Sequence, residues 1–386
     1  MSAIENLRRA ANPNTPENTG LMQRLGMHLI QRNNNTLYKD NDVDKEIIFQ
    51  HLYKKIEDVK NTPDQIYRTG KNLIYYSIFL SDEYLQMLEW SLNSISHNTE
   101  TMNFDVLFIT DEKFKQELLK KPILQKFNCY FHIVDTPVDG IEASFKKLCI
   151  YDYNRINEYE KVLFLDTDIM CVKDLNEIFN YDLTPEKLNT KSNLGISSSS
   201  ILSYTSATHG LMYLTHKDAK FIDDNTSVVP FNAGQFLFLN SHRMKLHFEN
   251  VRWLKNVWPG IYFFEQSFMN HYFVFNYLTD QIFLYKLVSI IFSATTPQDS
   301  DPTLKNQTTK KTRTLVVTGA MNTKYPPIEP IQSPFKLSKV NNKYLDYSKK
   351  HTDDTLLLHF AGHTLNGPQK LDYISTYAIT HELAIF

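Results

Sequence analysis

A short apolar segment that ends in two aspartates constrains this chain more than any other stretch. Residues Val162–Leu165 are aliphatic or aromatic, and Asp166 and Asp168 follow directly. An apolar run of this length with polar flanks is typical of a strand buried on both faces of a sheet. In open α/β sheets, ligands bind at the C-terminal ends of such strands. Because unpaired buried carboxylates are costly, the pair predicts a compensating cation, such as a divalent metal that carries a phosphorylated ligand.

The composition indicates a folded chain with one large domain or two ordinary ones. Of its 386 residues, 42% are apolar and 13% aromatic, which excludes disorder over the whole chain. The net charge of -2 gives no electrostatic reason to expect nucleic-acid binding. The richness in Asn, Lys, Ile and Tyr is typical of an AT-rich genome, such as that of a large virus or a protist.

Cysteine usage and hydropathy predict where the chain works. Cys129, Cys149 and Cys171 have no metal-ligand spacing and cannot all pair, so we predict reduced core thiols of a cytosolic protein. The first residues, Met1–Glu5, lack the apolar segment of a signal peptide. No stretch approaches the roughly 20 apolar residues of a membrane helix. The chain is therefore expected to be cytoplasmic, without a membrane span.

Strand-like runs alternate with helical patterns from Asn72 onwards. Strands are predicted at Leu73–Leu80, Phe104–Thr110, Tyr130–Val134 and Val162–Leu165. Helices are predicted between them at Glu83–Ile95, Lys113–Lys120 and Ser144–Asn157. This alternation favours an α/β fold with a mixed, mostly parallel central sheet and helices on both faces.

The remaining segments divide the chain into an N-terminal extension over 1–70 and a domain over 71–386. In the extension, 1–36 is expected to be a flexible arm and 41–60 a helix that packs on the domain or forms a dimer contact. A loop insertion rich in Thr, Lys, Asn and Pro is predicted at about 296–345. Further elements are predicted at Phe236–Leu239 (strand), Glu265–Tyr277 (helix) and Thr355–Phe360 (strand).

Three other motifs carry residues suited to ligand binding, and each also has an ordinary structural interpretation. Asn232 and Gly234 allow hydrogen bonding and close backbone approach, or form a turn. His359 ends an apolar strand, either as a satisfied core histidine or as a nitrogen ligand that suits Mn²⁺ together with two aspartates. Glu265 and Gln266 begin a helix, where an acidic residue is also favoured by the helix dipole. The aspartate pair itself fits a turn cap equally well.

These motifs occur together in one order, and in this the chain resembles glycosyltransferase family 8, the glycogenin-like retaining transferases with a GT-A fold. The resemblance covers roughly 72–295 and 350–370. It implies metal-dependent transfer of a sugar, with retention of configuration, from a nucleotide sugar such as UDP-hexose to an acceptor hydroxyl. The expected cofactor is Mn²⁺ or Mg²⁺. The acceptor is a glycan, a protein or a small molecule, and a homodimer is compatible with the sequence.

The resemblance also implies roles for individual residues. The metal ligands would be Asp166, Asp168 and His359. The nucleotide-sugar donor would be held by Ile78, Leu80, Ser81, Tyr84, Lys147, Thr167, Asn232, Ala233 and Gly362. The catalytic residues would be Lys147, which adds positive charge near the donor, Gln266, which stabilises an oxocarbenium-like centre, and Glu265, which acts as nucleophile or binds a sugar hydroxyl.

The sequence departs from the family pattern at three places. Glu265 stands where the family has Asp. The family's diphosphate-binding Lys falls at Leu365, with Lys370 or His363 as candidate replacements. Ser197–Ser200 occupies the region of a sugar-contacting acid. These departures leave open a catalytically weak sugar-nucleotide-binding protein of the same fold. A haloacid-dehalogenase-like phosphatase, which also places an Asp-x-Asp after a strand, is the other alternative.

Overall fold

The computed structural model describes residues 42–192, 231–257, 265–274, 276–290, 338–340, 343–345, 353–361 and 367–385. The arm predicted at 1–36, most of the insertion predicted at about 296–345, and residues Ser197–Ser200, Gly362, His363 and Leu365 lie outside these ranges. Within them, no helix combines the length and the apolar character that a membrane span requires.

The described elements follow the alternating order expected of an α/β fold. The strands are β1 Asn72–Ser77, β2 Phe104–Thr110, β3 Cys129–Ile133, β4 Lys161–Leu165, β5 Ile169–Cys171, β6 Leu188–Ser192, β7 Phe231–Leu239, β8 Thr279–Asp280, β9 Val288–Ile290, β10 Ser338–Val340, β11 Lys343–Leu345 and β12 Leu357–His359. The α-helices are α1 Asp42–Asn61, α2 Asp82–Asn98, α3 Glu112–Leu119, α4 Gly140–Phe145, α5 His242–Val257, α6 Glu265–Met269, α7 Ile282–Leu287 and α8 Gly367–Thr380.

The central sheet has the strand order β3-β2-β1-β4-β7-β6-β8. Strands β1 to β4 are all parallel, β7 runs antiparallel to both β4 and β6, and β8 is parallel to β6. The prediction of a mixed, mostly parallel sheet is therefore confirmed. Strand β4, which leads into the aspartate pair, lies in the middle of the sheet, where every residue from Val162 to Leu165 is buried.

A second, smaller sheet lies beside the end of β4. Its order is β5-β12-β9, with β12 antiparallel to β5 and parallel to β9. Because β5 begins directly after Asp168, this pairing brings the C-terminal part of the chain back to the aspartate pair. Strands β10 and β11 form a separate antiparallel hairpin.

Aromatic side chains fill the face of the central sheet beneath the site. The ring of Phe164 lies 4.9 Å from those of both Tyr75 and Phe236, measured between centroids. Such contacts contribute about 1 kcal/mol per pair beyond the burial of area. Lys147 packs on this aromatic cluster, with its Nζ atom 4.3 Å from the Phe164 ring centroid.

Two predicted elements differ from those observed. The first strand, predicted as Leu73–Leu80, ends at Ser77, and the chain then turns through Leu80, whose φ is 71°. The helix predicted at Ser144–Asn157 consists of 3₁₀ turns after Phe145. Within this segment, the Lys147 carbonyl accepts from the Tyr75 hydroxyl at 3.2 Å, so a tertiary contact accompanies the departure from a regular α-helix.

The helix predicted at Glu265–Tyr277 is also shorter than expected. It is α-helical to Met269 and continues as a single π turn, Asn270–Val274. Tyr277 has a φ of 56°, a left-handed conformation that a helix cannot include. The cysteines are free, as predicted, and Cys171 is buried, while Cys129 and Cys149 are only partly buried.

Candidate active site

Asp166 and Asp168 lie where β4 leaves the central sheet. The Asp166 amide donates to the Gly234 carbonyl at 2.7 Å, which joins the end of β4 to the β7 segment. Strand β5 starts immediately after Asp168, so the intervening Thr167 forms a tight, buried connection between two sheets. The short loop leaves little freedom for the two carboxylates to separate.

His359 reaches the pair through the second sheet. It is the partner of Ile169 in the β5–β12 ladder, and the Phe360 amide donates to the Asp168 carbonyl at 3.1 Å. The His359 Nε2 atom therefore lies 3.4 Å from Asp168 Oδ1. One ligand atom each from Asp166, Asp168 and His359 can be chosen so that all lie within 4.8 Å of one another.

Gly234 is packed against the side chains of Asp166, His359 and Asn232. A Cβ atom at Gly234 would collide with the His359 ring, and would lie 2.9 Å from Asp166 Oδ2 and 2.8 Å from Asn232 Oδ1. The Asn232 side chain in turn accepts from the Gly234 amide at 2.7 Å. The absence of a side chain at Gly234 is thus what allows β7 to approach the carboxylates so closely.

Lys147 is buried beside the aspartates and is fully engaged by the protein. Its Nζ lies 3.2 Å from Asp166 Oδ1 and 2.6 Å from Glu265 Oε1, and it donates to the Ala233 carbonyl at 3.2 Å. An ammonium group has three protons, so each has a protein acceptor. Lys147 therefore links the metal-motif loop, β7 and α6, in addition to carrying positive charge.

The two aspartates have opposite pKa shifts. Burial raises the pKa of Asp166 to about 6, an effect that Lys147 opposes and Asp168 increases. Burial would also raise the pKa of Asp168, but the charges of Lys370 and His359 outweigh it and hold this pKa well below its usual range. Asp168 is therefore ionised, whereas Asp166 is the carboxylate that holds a proton most readily.

Lys370 on α8 contacts Asp168 directly. Its Nζ forms an ion pair with Asp168 Oδ2, and only 15% of the Lys370 side chain is exposed. Burial alone would lower the pKa of Lys370, but the neighbouring Asp168 raises it above its usual value. Of the two candidate replacements for the family lysine, Lys370 thus lies at the aspartates, while His363 is outside the described residues.

Four of the residues expected to hold the nucleotide follow the C-terminal end of β1. Ile78 is buried, and its carbonyl accepts from the Thr110 hydroxyl at 2.8 Å. Leu80 and Tyr84 are each 44% exposed, and the Ser81 hydroxyl is bonded to Glu83. Burial raises the pKa of Tyr84 while Lys370 lowers it, so its phenol lies within electrostatic reach of the aspartate site.

Glu265 and Gln266, at the start of α6, face the same centre. Glu265 is buried against Lys147. Gln266 Oε1 accepts from the Ala233 amide at 3.0 Å. Four residues further on, Asn270 is bonded to the backbone of Phe231, the first residue of β7. Sequence reasoning gave Asn270 no role, although its i+4 spacing from Gln266 places both on one helix face.

The side chains present suit a hard divalent cation. Two carboxylates and one imidazole form an oxygen-rich donor set of the kind that binds Mn²⁺ or Mg²⁺. Asp168 Oδ1 and His359 Nδ1 are buried and lack a hydrogen-bond partner in the described structure, which is costly for polar groups. Together with ligand atoms that lie within 4.8 Å of one another, this donor set fits a bound divalent cation.

Comparison with known proteins finds similarity only at the level of solved structures. No protein-family profile and no curated protein matches the chain. Apo WbbM, a bifunctional glycosyltransferase, matches with 13% identity and a TM-score of 0.44, over 83% of this chain and 52% of WbbM. The galactosyltransferase LgtC, with donor and acceptor sugar analogues, matches with 12% identity and a TM-score of 0.43, over 79% of this chain and 95% of LgtC.

A third structure, the apo form of the glycosyltransferase GlyE in Streptococcus pneumoniae TIGR4, has 14% identity and a TM-score of 0.36, over 81% of this chain and 62% of GlyE. Of the first of these structures, WbbM, the chain spans about half the length. Because all three TM-scores are below 0.5, the fold described above rests on the observed strand pairing, and the function proposed below rests on the site.

Proposed function

We propose that this chain is a metal-dependent, retaining glycosyltransferase of the GT-A fold, which moves a sugar from a UDP-hexose to an acceptor hydroxyl. The observation that carries the proposal is the convergence of Asp166, Asp168 and His359, from separate parts of the chain, with their ligand atoms within 4.8 Å of one another. Two lysines adjoin this group, as a site for a metal and a diphosphate requires.

The two lysines, together with a metal held by the aspartates, would offset the negative charge that develops on the leaving group. A bound Mn²⁺ or Mg²⁺ would supply Lewis-acid stabilisation of the charge that develops on the diphosphate. Lys370, now paired with Asp168, would exchange that contact for a phosphate oxygen. Lys147 would keep its contacts with Asp166 and Glu265, and so hold the site in shape while adding a fixed positive charge.

Retention of configuration is assigned to the residues at the start of α6. Gln266 has its Oε1 bonded to the Ala233 amide, which orients its carboxamide beside the motif expected to face the donor sugar. Glu265 is connected to that motif through Lys147, which contacts both the Glu265 carboxylate and the Ala233 carbonyl. We assign Gln266 to stabilisation of the oxocarbenium-like centre and Glu265 to a sugar hydroxyl or to nucleophilic attack.

The exposed residues after β1 complete the donor site. Leu80 and Tyr84 offer an apolar and an aromatic surface, which suits the faces of a uracil ring and a ribose. Ser81 and the buried Ile78 lie in the turn that carries them. Asn232, Ala233, Thr167 and Gly362 are the further residues assigned to the donor. The whole domain over 71–386, with the extension over 1–70, is proposed as the transferase unit.

The proposal is tested by the release of UDP from a panel of UDP-sugars with Mn²⁺, with and without EDTA. We expect one donor to be hydrolysed in a metal-dependent way. In Asp168→Ala, the rate of UDP release should fall by about 100-fold or more. Asp58→Ala, at an exposed position of α1, is the matched control and should retain the wild-type rate. An undiminished rate in Asp168→Ala would refute the proposal.

Measurements of UDP binding and of phosphate release, made beside the UDP-release assay, separate the alternatives. A catalytically weak sugar-nucleotide-binding protein would bind UDP with Mn²⁺ and release no UDP from any donor. A haloacid-dehalogenase-like phosphatase would release phosphate from a phosphomonoester such as p-nitrophenyl phosphate. Each of these results would replace the transferase assignment.

A further inference from the structure

Asn270 forms an unusually complete set of contacts between two segments of the site. Its Oδ1 accepts from the Phe231 amide at 2.7 Å. Its Nδ2 donates to the Phe231 carbonyl and to the Gln266 carbonyl, both at 2.9 Å. The residue is fully buried, so these bonds are shielded from water and cannot be replaced by it without cost.

These contacts determine how β7 and α6 lie against each other. Phe231 directly precedes Asn232 and Ala233, which are assigned to the donor sugar. Gln266, at the other end of the linkage, accepts from the Ala233 amide. The two segments are thus joined at both ends, once through Gln266 and once through Asn270, and a side-chain amide that pairs with both backbone groups of one residue allows a single register.

The local helix geometry is adapted to this linkage. Asn270 is the first residue of the π turn that follows α6. A π turn widens the helix and is frequently found at functional sites. Here it begins at the residue that is hydrogen-bonded to β7, while the proposed metal ligands come from the loop after β4 and from β12.

We propose that Asn270 is a positioning residue for the transfer reaction: it holds Gln266 in register with Asn232, and thereby aligns the sugar, but contributes nothing to metal or nucleotide binding. The inference rests on the proposed function, since it assigns Asn270 to that same site. The residue acts through Gln266 and the β7 backbone and does not itself contact the donor.

The test compares Asn270→Ala and Asn270→Asp with wild type. The aspartate variant keeps the shape and the acceptor for the Phe231 amide, but sets a carboxyl group against two carbonyls. The Kd of UDP with Mn²⁺ shows whether each variant still folds around the site. Asn276→Ala is the matched control, because Asn276 also donates from its side-chain amide to a backbone carbonyl nearby, that of Tyr272, at 2.6 Å, and among the described residues it forms no hydrogen bond to β7.

We expect kcat to fall on the order of 100-fold in both Asn270 variants, as for a misplacement of about 1 Å. The Kd of UDP with Mn²⁺ should stay within about twofold of wild type. The proposed metal ligands lie after β4 and on β12, the nucleotide residues follow β1, and the Asp166 amide still holds the Gly234 segment of β7. Asn276→Ala should retain the wild-type kcat. Equal losses in the Asn270 variants and in Asn276→Ala, or a parallel loss of UDP affinity, would overturn the inference.

Failure of the proposed function can be distinguished from failure of the positioning role of Asn270. If wild type releases no UDP from any donor, the transferase assignment fails, and the positioning role is judged from binding alone. Wild type should then bind UDP-glucose more tightly than UDP with Mn²⁺, and both Asn270 variants should lose that difference while Asn276→Ala retains it. Retention of the difference in the Asn270 variants, or its absence in wild type, would overturn the inference.

Discussion

Replacing Gly234 by alanine tests the geometry of the metal site most directly. The added Cβ would lie 2.9 Å from Asp166 Oδ2, whereas ordinary van der Waals contact begins at 3.4 Å, so this carboxylate must retreat by 0.5 Å. The His359 ring, which is even closer, must retreat further. Metal–ligand distances tolerate only about 0.2 Å, so neither ligand can move this far and still share one ion.

We therefore expect Gly234→Ala to weaken Mn²⁺ binding by at least tenfold, or about 1.4 kcal/mol. Isothermal titration calorimetry with MnCl₂ measures this, and urea unfolding without metal measures stability. The matched control is Gly70→Ala, where the φ of 72° is strained for alanine but no atom lies within 4 Å of the new Cβ. Its stability should fall by about 1 kcal/mol, with Mn²⁺ affinity unchanged. Wild-type Mn²⁺ affinity in Gly234→Ala would refute the assignment of His359 and Asp166 as joint ligands.

Two lysine substitutions give further predictions. Lys147→Met should lower the free energy of unfolding by about 3 kcal/mol in urea titrations, because it leaves the buried Glu265 carboxylate without its partner. The control Lys121→Met removes a more exposed ion pair and should cost less than about 1 kcal/mol. Equal losses in the two variants would contradict the buried linkage. Lys370→Met should tighten the binding of Mn²⁺ alone by about tenfold, since an ammonium group no longer competes at Asp168, and should weaken the binding of UDP; an unchanged affinity for both would remove Lys370 from the site.

Local patterns were sufficient to predict six of the twelve strands in the described residues. The second predicted strand, Phe104–Thr110, is observed with the same bounds, and β4 differs by one residue. Both are short, apolar and buried, so their composition follows directly from their environment. The 3₁₀ turns after Phe145 and the π turn at Asn270–Val274 could not be predicted in this way. They coincide with tertiary hydrogen bonds from Tyr75 and to Phe231, which local patterns do not show.

The candidate site was predictable to a similar extent. Residue type and order identified the aspartate pair and His359 as possible ligands, and their proximity in the structure agrees with that hypothesis. The engagement of Lys147 by Glu265 and the pairing of Lys370 with Asp168 carry no sequence signal. Both join residues more than 100 positions apart, and a single sequence holds no information on such distances.

By itself, the sequence determined the α/β class, the buried strand that ends in Asp166 and Asp168, and the chemistry that two carboxylates at a strand end require. Only the tertiary structure decided which other residues lie against these two carboxylates. It is the antiparallel pairing of β5 with β12 that brings His359 to Asp168, and the missing side chain of Gly234 that lets β7 approach. Pairing and close packing depend on the whole fold, because they are made by segments that meet only when the core has formed.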